Sequence, residues 1–408
     1  MSIFSKLCSL SLLVVLSMGL PSLTWAMAPV AGTPDEARAL YDRVWLLLDN
    51  KFVDDSKNHQ AWGLWRHRYD DKLSNPNDAF MAIDTMIQSL GDRYTRFLPP
   101  EEFKEETDSI KATLCGIGVQ IGERDGRLVV IAPIEDTPAA KAGMKANDVI
   151  LKIDGKSTQG MTVKSGADLI KGDKGSTVTI LLKRGETEHT LVIERAEIKL
   201  KSVSVKPPFE LTVPEPVTYI KLSSFLSKTA GQEVEDAVKK ALSDKKQGLV
   251  LDLRSNPGGL LENAISIASL FLEDATVVST VDRAGYKSVR STQGQPIWQK
   301  PLVILIDEGS ASASEILAGA LKDHERATLV GKRSFGKGLV QEINPLPTGA
   351  GVNVTTQKYL TPNDTDINKK GIDPHVEVKL TEEDAKAKKD PQLQEALNIL
   401  KTKYGVLL

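Results

Sequence analysis

LVILIDEGSASASEILAGAL, residues 302–321, runs from an apolar strand through a turn of glycine, serine and alanine into a helix. The apolar run is short enough for a buried strand, and the spacing beyond it predicts a helix over 314–322. The same alternation continues upstream. VTYIKLSSF (217–225) reads as a strand, 231–242 as a helix and GLVLDLR (248–254) as a strand; a glycine-rich turn, a helix over 262–271 and a hairpin follow. Strands that alternate with helices argue for a layered α/β core.

The core is bounded upstream by Pro207, Pro208, Pro214 and Pro216, because clustered prolines cannot continue a sheet or helix. We assign residues 199–380 to it and read the charged, leucine-spaced stretch 381–408 as a surface tail of one or two helices. Residues 112–198 have a different texture of short strands and tight turns: GVQI, a turn at Asp125 and Gly126, LVVIAPI, DVILKIDG, TVTILLKR and HTLVIER. That makes a compact module with a helix over 163–170 between its strands. Residues 33–111 are helical, with Leu40, Val44, Leu47 and Leu48 on one face and Phe80, Ile83, Met86, Ile87 and Leu90 repeating the spacing. Trp45, Trp62 and Trp65 in this region read as core or contact aromatics.

The chain has 408 residues, more than one ordinary core accommodates. Its first 26 residues combine Lys6, the apolar run Leu7–Leu16 and small residues at Thr24 and Ala26, the pattern of a cleaved secretory signal. Cleavage after Ala26 would remove Cys8 and leave Cys115 without an intramolecular disulfide partner; Cys115 reads as a packing residue. A net charge of −2, from 52 basic and 54 acidic residues without a basic block, carries no electrostatic footprint for nucleic acid. The sequence has no HExxH or clustered Cys/His metal pattern, and we expect neither metal nor cofactor.

Three segments carry chemistry. In EGSASASEILAGAL (308–321) a serine can stand exposed beside backbone amides at a helix N-terminus, and Ser310, Ser312 and Ser314 compete for that role against capping or small-residue packing. GKRSFGKGLVQ (331–341) sets Lys337 between Gly336 and Gly338; a lysine acts as base only when burial favours its neutral form. DLRSNPGG (252–259) follows a strand, and its glycines can aim an N–H at a developing oxyanion. In the compact module, Gly116, Ile117, Gly118 and Val119 open a strand whose N–H groups could gather a terminal carboxylate. A peptide tail would then add along Val119 to Ile121, opposite the helix containing Leu169.

GIGVQI, IAPIEDTPAAKAGMKANDVILKIDGKS and LIKGDKGSTVTILLKR together resemble a PDZ domain of the bacterial protease type, with Lys171 where many relatives have arginine. The three chemical segments, with YLTPN (359–363) and GIDPHVEV (371–378), resemble the carboxyl-terminal processing peptidases, also called tail-specific proteases. His375 stands where that family often has an acidic residue. The resemblance implies a multi-domain α/β protein: a helical amino-terminal segment, a PDZ-like β-rich domain and a ClpP/crotonase-like protease core. It also implies a Ser-Lys dyad of Ser312 and Lys337, 25 positions apart, with Gln341 orienting the lysine amine and the amides of Gly258 and Ala313 forming the oxyanion hole. The implied partners are carboxyl-terminal tails of proteins, with homo-oligomers and an adaptor protein also expected. The implied compartment is extracytoplasmic, a periplasm or a thylakoid lumen.

Two rivals make different claims. A Ser-His-Asp protease would use His324, which lies twelve residues along or just past the helix and points away from Ser312. A non-catalytic scaffold would bind tails through the PDZ-like module and keep the α/β domain as structure alone.

Overall fold

The computed structural model describes residues 32–407 apart from 111, 112, 125, 135, 136 and 200. The expected signal, residues 1–26, lies outside the described residues, as does Asp125 of the expected turn. The chain divides into two compact units, one containing Thr113–Leu200 and the other built from Pro29–Ala112 together with Lys201–Leu408.

The larger unit is organised on a six-stranded sheet in the order Val203–Ser204, Val217–Leu222, Gly248–Asp252, Leu302–Ile306, Thr328–Gly331 and Val376–Glu377. All of its pairings are parallel except the one made by Val203–Ser204. Every residue of the three central strands is buried, as strands covered on both faces require. Side chains alternate between two cores. Leu249, Leu251, Ile304 and Ile306 pack toward helices Ala230–Ser243, Leu261–Ser269 and Ala313–Asp323. Val250, Val303, Leu305 and Val330 pack on the opposite face.

That opposite face corrects the second half of the reading of residues 381–408 as a surface tail: helix Glu382–Lys386 buries no residue, but the helix after it does. Helix Pro391–Thr402 presents Leu393, Ala396, Leu397 and Leu400 at the spacing of one apolar stripe and buries them on the sheet. A parallel sheet with one bare face would leave its central strands half solvated, and this helix supplies the second layer.

A second, antiparallel sheet runs in the order Arg96–Leu98, Gly351–Leu360, Thr276–Asp282 and Lys287–Ser291, with Leu339–Pro345 also paired to Gly351–Leu360. Through Arg96–Leu98 the amino-terminal helical region joins this sheet. Helix Pro34–Lys51 begins with a capping box between Thr33 and Glu36 and packs on helix Pro76–Ser89. Trp45, Trp62 and Trp65 are buried, and the first two stack 6.1 Å apart, so they pack as the spacing suggested.

The smaller unit is an antiparallel sheet ordered Val119–Arg124, Arg127–Pro133, Val149–Ile153, Thr177–Arg184 and Thr187–Glu194. Helix Val163–Ile170, capped by Thr162, occupies the residues its pattern predicted and packs against the edge strand Val119–Arg124. Ile117, Leu128, Val130, Ile150, Val178 and Ile180 form its core. Arg195 holds the end of that helix, donating to the carbonyls of Leu169 at 3.0 Å and Ile170 at 2.8 Å.

Candidate active site

Three loops meet beyond the carboxyl ends of neighbouring parallel strands, where open α/β sheets place their ligands. The turn after Gly248–Asp252 and the turn after Leu302–Ile306 are joined directly. Ser255 N–H donates to Asp307 Oδ1 at 2.7 Å, and Ala311 N–H donates to the Asn256 carbonyl at 3.0 Å. The loop after Thr328–Gly331 joins them through Phe335 N–H, which donates to the Ser310 carbonyl at 3.0 Å.

The three candidate serines have different surroundings. Ser310 and Ser314 are fully buried; their hydroxyls donate to the carbonyls of Leu253 at 2.8 Å and Asn256 at 2.9 Å. Those two serve packing and backbone satisfaction. Ser312 is partly exposed and precedes helix Ala313–Asp323 with φ 55° and ψ −115°. A non-glycine residue held there costs about 1–3 kcal/mol and persists only where the surroundings impose it. A sharp strand-to-helix turn of this kind lifts a side chain clear of the sheet.

The imposing group is Glu315, which the sequence reading did not single out. Its carboxylate is fully buried and accepts four hydrogen bonds. Oε2 takes the N–H of Ser312 and the N–H of Lys337, each at 2.9 Å. Oε1 takes Ser334 Oγ at 2.6 Å and Gly336 N–H at 2.7 Å. One side chain therefore ties the serine turn to the lysine loop. Tyr359 does the same from the carbonyl side: its hydroxyl lies 3.2 Å from the Ser312 carbonyl and also contacts that of Lys337. Burial pushes the Tyr359 phenol well above its ordinary pKa, so it stays a donor. Gly336 and Gly338 are required by close approach, since added Cβ atoms would stand 2.9 Å from Gly371 N and 2.7 Å from Asn368 N.

The Lys337 amine lies 4.9 Å from the centre of the Tyr94 ring. Burial, assisted by the charge of Arg96, lowers its pKa from 10.5 to about 8 against the opposing pull of Asp92, Glu106 and Glu315. Among the described residues no hydrogen bond joins Ser312 to Lys337. Gln341, expected to orient the amine, instead directs its Nε2 to Thr355 Oγ1 at 3.4 Å. It stands on strand Leu339–Pro345 beside a register shift, paired to Thr355, and this directs its amide along the sheet.

Gly258 lies against the serine turn: a Cβ there would fall 2.8 Å from both Ser312 Cβ and Ala313 N, and its φ is 94°. Its N–H donates to Asn256 Oδ1 at 2.9 Å, so that proposed oxyanion donor is engaged in this arrangement. Ala313, first residue of its helix, has an N–H ahead of the helical ladder. His324 ends the same helix, with Nε2 2.8 Å from the Thr276 carbonyl. His375 accepts Leu329 N–H through Nδ1 at 2.9 Å.

Behind the glycine turn lies a buried ion cluster that the sequence reading also missed. Arg254 pairs with Asp252 at 2.6 Å and Asp390 at 2.8 Å, and the Asp252 carboxyl is held down at about 2 despite burial, chiefly by the charges of Arg254 and Lys221. Among the described residues no group of His, Cys, Asp and Glu is arranged to hold a metal ion.

In the smaller unit, Gly118 has φ 74°, and a Cβ there would stand 2.4 Å from Thr137 Cβ. Gly116 has open space around its Cβ position, so only the second glycine of Gly116–Ile117–Gly118–Val119 is sterically demanded. Ile117 is a core residue whose carbonyl accepts Ala139 N–H at 2.7 Å. Val119 begins a strand whose outer edge is unpaired among the described strands. Cys115 is a free thiol. Lys171, the C-cap of helix Val163–Ile170, pairs with Asp168 at 3.7 Å.

Comparison with known proteins shows the family. The profile of Peptidase family S41 matches residues 216–378, and that of the PDZ domain matches 115–194. The carboxyl-terminal-processing protease of Picosynechococcus sp. is 40% identical over 373 residues, covering 90% of this chain and 88% of the relative. The carboxy-terminal processing protease CtpA of Bacillus subtilis is 36% identical, covering 81% and 70%. Among solved structures, the photosystem II D1 C-terminal processing protease superposes with TM-score 0.56 at 32% identity, covering 84% of this chain and 93% of that one. This chain is a serine-type peptidase with a PDZ domain and belongs to peptidase family S41, among the carboxyl-terminal-processing proteases.

Proposed function

We propose that this protein is an exported endopeptidase that captures carboxyl-terminal tails of proteins on its PDZ domain and cuts peptide bonds with a dyad of Ser312 and Lys337. The observation that carries the dyad is the single buried carboxylate of Glu315, which holds the N–H of both residues. The depressed Lys337 pKa supports its role as base: at pH 7 about a tenth of a lysine with pKa near 8 is neutral, against roughly one part in three thousand at 10.5.

In the reaction, Lys337 takes the Ser312 hydroxyl proton as Oγ attacks the peptide carbonyl. The oxyanion faces the amides of Ala313 and Gly258, the latter once released from or shared with Asn256. Lys337 returns the proton to the leaving amine, and water, deprotonated by the same lysine, hydrolyses the acyl-enzyme. Catalytic hydrogen bonds are often long before substrate binds and tighten in the reacting complex. Gln341 is linked to the lysine's surroundings through Thr355 and Asp92. Export rests on the amino-terminal signal pattern; homo-oligomers and an adaptor remain expectations of the family resemblance.

The test is cleavage of an unfolded protein with an apolar carboxyl-terminal tail, followed by intact mass. Wild type cuts, while Ser312→Ala and Lys337→Ala do not, and the wild-type rate rises with pH to a plateau above about 8 as the lysine loses its proton. Equal cutting by Ser312→Ala removes the nucleophile assignment. Tail binding without cleavage by wild type favours the scaffold.

A further inference from the structure

Tyr94 lies outside both matched profiles, yet its ring faces the Lys337 amine. We propose that the segment Asp92–Arg96 belongs to the catalytic centre and that Tyr94 is the positioning residue of the general base, walling its amine from water and fixing where it stands. The proposal rests on the reading of Lys337 as base.

The segment is anchored firmly enough for this. The Asp92 carboxylate accepts Tyr94 N–H and Thr95 N–H at 3.1 Å each, Thr95 Oγ1 at 2.7 Å and Thr355 Oγ1 at 2.5 Å. Arg96–Leu98 then pairs with Gly351–Leu360. Thr355 also receives Gln341, which links the glutamine to this segment. Arg93 donates to Tyr94 Oη at 2.7 Å, and its guanidinium stands 4.9 Å from the Tyr94 ring and 5.3 Å from that of Phe335. Phe335 belongs to the lysine loop itself, which closes a stack from the amino-terminal region back to Lys337.

The ring has two opposed effects on the amine. Its face attracts an ammonium; its bulk excludes water and favours the neutral amine. Burial is the largest influence on this lysine, and we take the ring's share of it to outweigh the attraction. Removal of the ring should hydrate the amine, raise its pKa and let it wander.

The test measures kcat and KM against pH on a peptide substrate for wild type, Tyr94→Phe, Tyr94→Ala and Tyr94→Leu, with melting curves for each. Tyr94→Phe keeps the ring and stays within about threefold of wild type. Tyr94→Ala loses about ten- to a hundredfold in kcat at pH 7 with KM little changed, the cost of misplacing a reacting group, and its apparent base pKa rises by about a unit or more. Should Tyr94→Ala fail to fold, Tyr94→Leu, which keeps bulk without the flat face, is expected to lose kcat at unchanged KM. Wild-type kcat and pH profile in a folded Ala or Leu variant overturn the proposal, as does a Phe variant as impaired as Ala. Activity surviving Lys337→Ala instead overturns the base assignment, whatever Tyr94 does.

Discussion

Glu315 has two oxygens and receives four donors, three of them backbone N–H groups. A glutamine in its place offers one acceptor oxygen and turns an NH2 toward groups that are themselves donors. Each lost hydrogen bond to a buried charge is worth about 1.5–3 kcal/mol. We therefore expect Glu315→Gln to lower unfolding free energy by about 2–5 kcal/mol and kcat by at least about tenfold, with KM nearly unchanged, as read from urea denaturation and steady-state kinetics. A folded variant with full kcat would show that the bracket does not set the dyad. The sequence drew attention to the segments of Ser312 and Lys337 because each is short and locally unusual in serines or glycines, and the family resemblance chose Ser312 among three competing serines. It hid Glu315, whose glutamate reads as an ordinary first-turn helix residue. The roles of Tyr359 and Tyr94 were hidden for a related reason: Tyr359, quoted only within YLTPN, lies 47 positions from its partner Ser312, and Tyr94 lies in a separate region of the chain from Lys337. Gln341 was assigned by resemblance, and its geometry depended on a strand register that no local pattern displays.

At the scale of elements, periodicity found the helices but not always what they cover. The leucine spacing of Pro391–Thr402 was visible; that it closes the second face of the parallel sheet was not, because the partner strands lie far upstream and are apolar on both faces. Asp390 joins this helix to the DLRSNPGG turn. It caps the helix by accepting Leu393 N–H at 2.9 Å and pairs with Arg254, 136 positions away. Both Asp390 and Arg254 are buried, and Arg254 stays paired with Asp252 when Asp390 is removed, so what is lost is the charged hydrogen bonding from Arg254 to Asp390 and the helix cap, at a cost of about 2–4 kcal/mol. Asp390→Ala should therefore lower the denaturation midpoint by that energy and loosen the DLRSNPGG turn, whereas Asp390→Asn, which keeps an acceptor for the helix cap, should lose less. Equal midpoints for Asp390→Ala and wild type would mean the helix is held by its apolar stripe alone.

For the whole molecule, the smaller unit was visible as a change from helical to short-strand texture, because it builds its core from residues close together in sequence; the union of Pro29–Ala112 with Lys201–Leu408 in the larger unit was not, because it spans that insertion. The smaller unit has an open strand edge at Val119–Arg124 beside a helix whose end Arg195 secures, an arrangement suited to adding a peptide strand. Main-chain pairing alone would accept any extended segment. Selection of a terminus requires that a free carboxylate be recognised where the strand begins, and there Gly118 has no room for a side chain. Full-length Ser312→Ala protein should then bind a fluorescent apolar peptide with a free carboxylate at least about tenfold more tightly than its amide, the weight of a charge-assisted hydrogen bond. In the catalytically intact chain, Gly118→Ala should weaken that binding and slow cleavage of tailed proteins, while a short peptide that reaches the active site directly is cut at the wild-type rate. Equal affinity for acid and amide would mean that the edge strand reads extended backbone rather than chain ends; equal slowing of both substrates would mean that Gly118 serves the fold and not the tail.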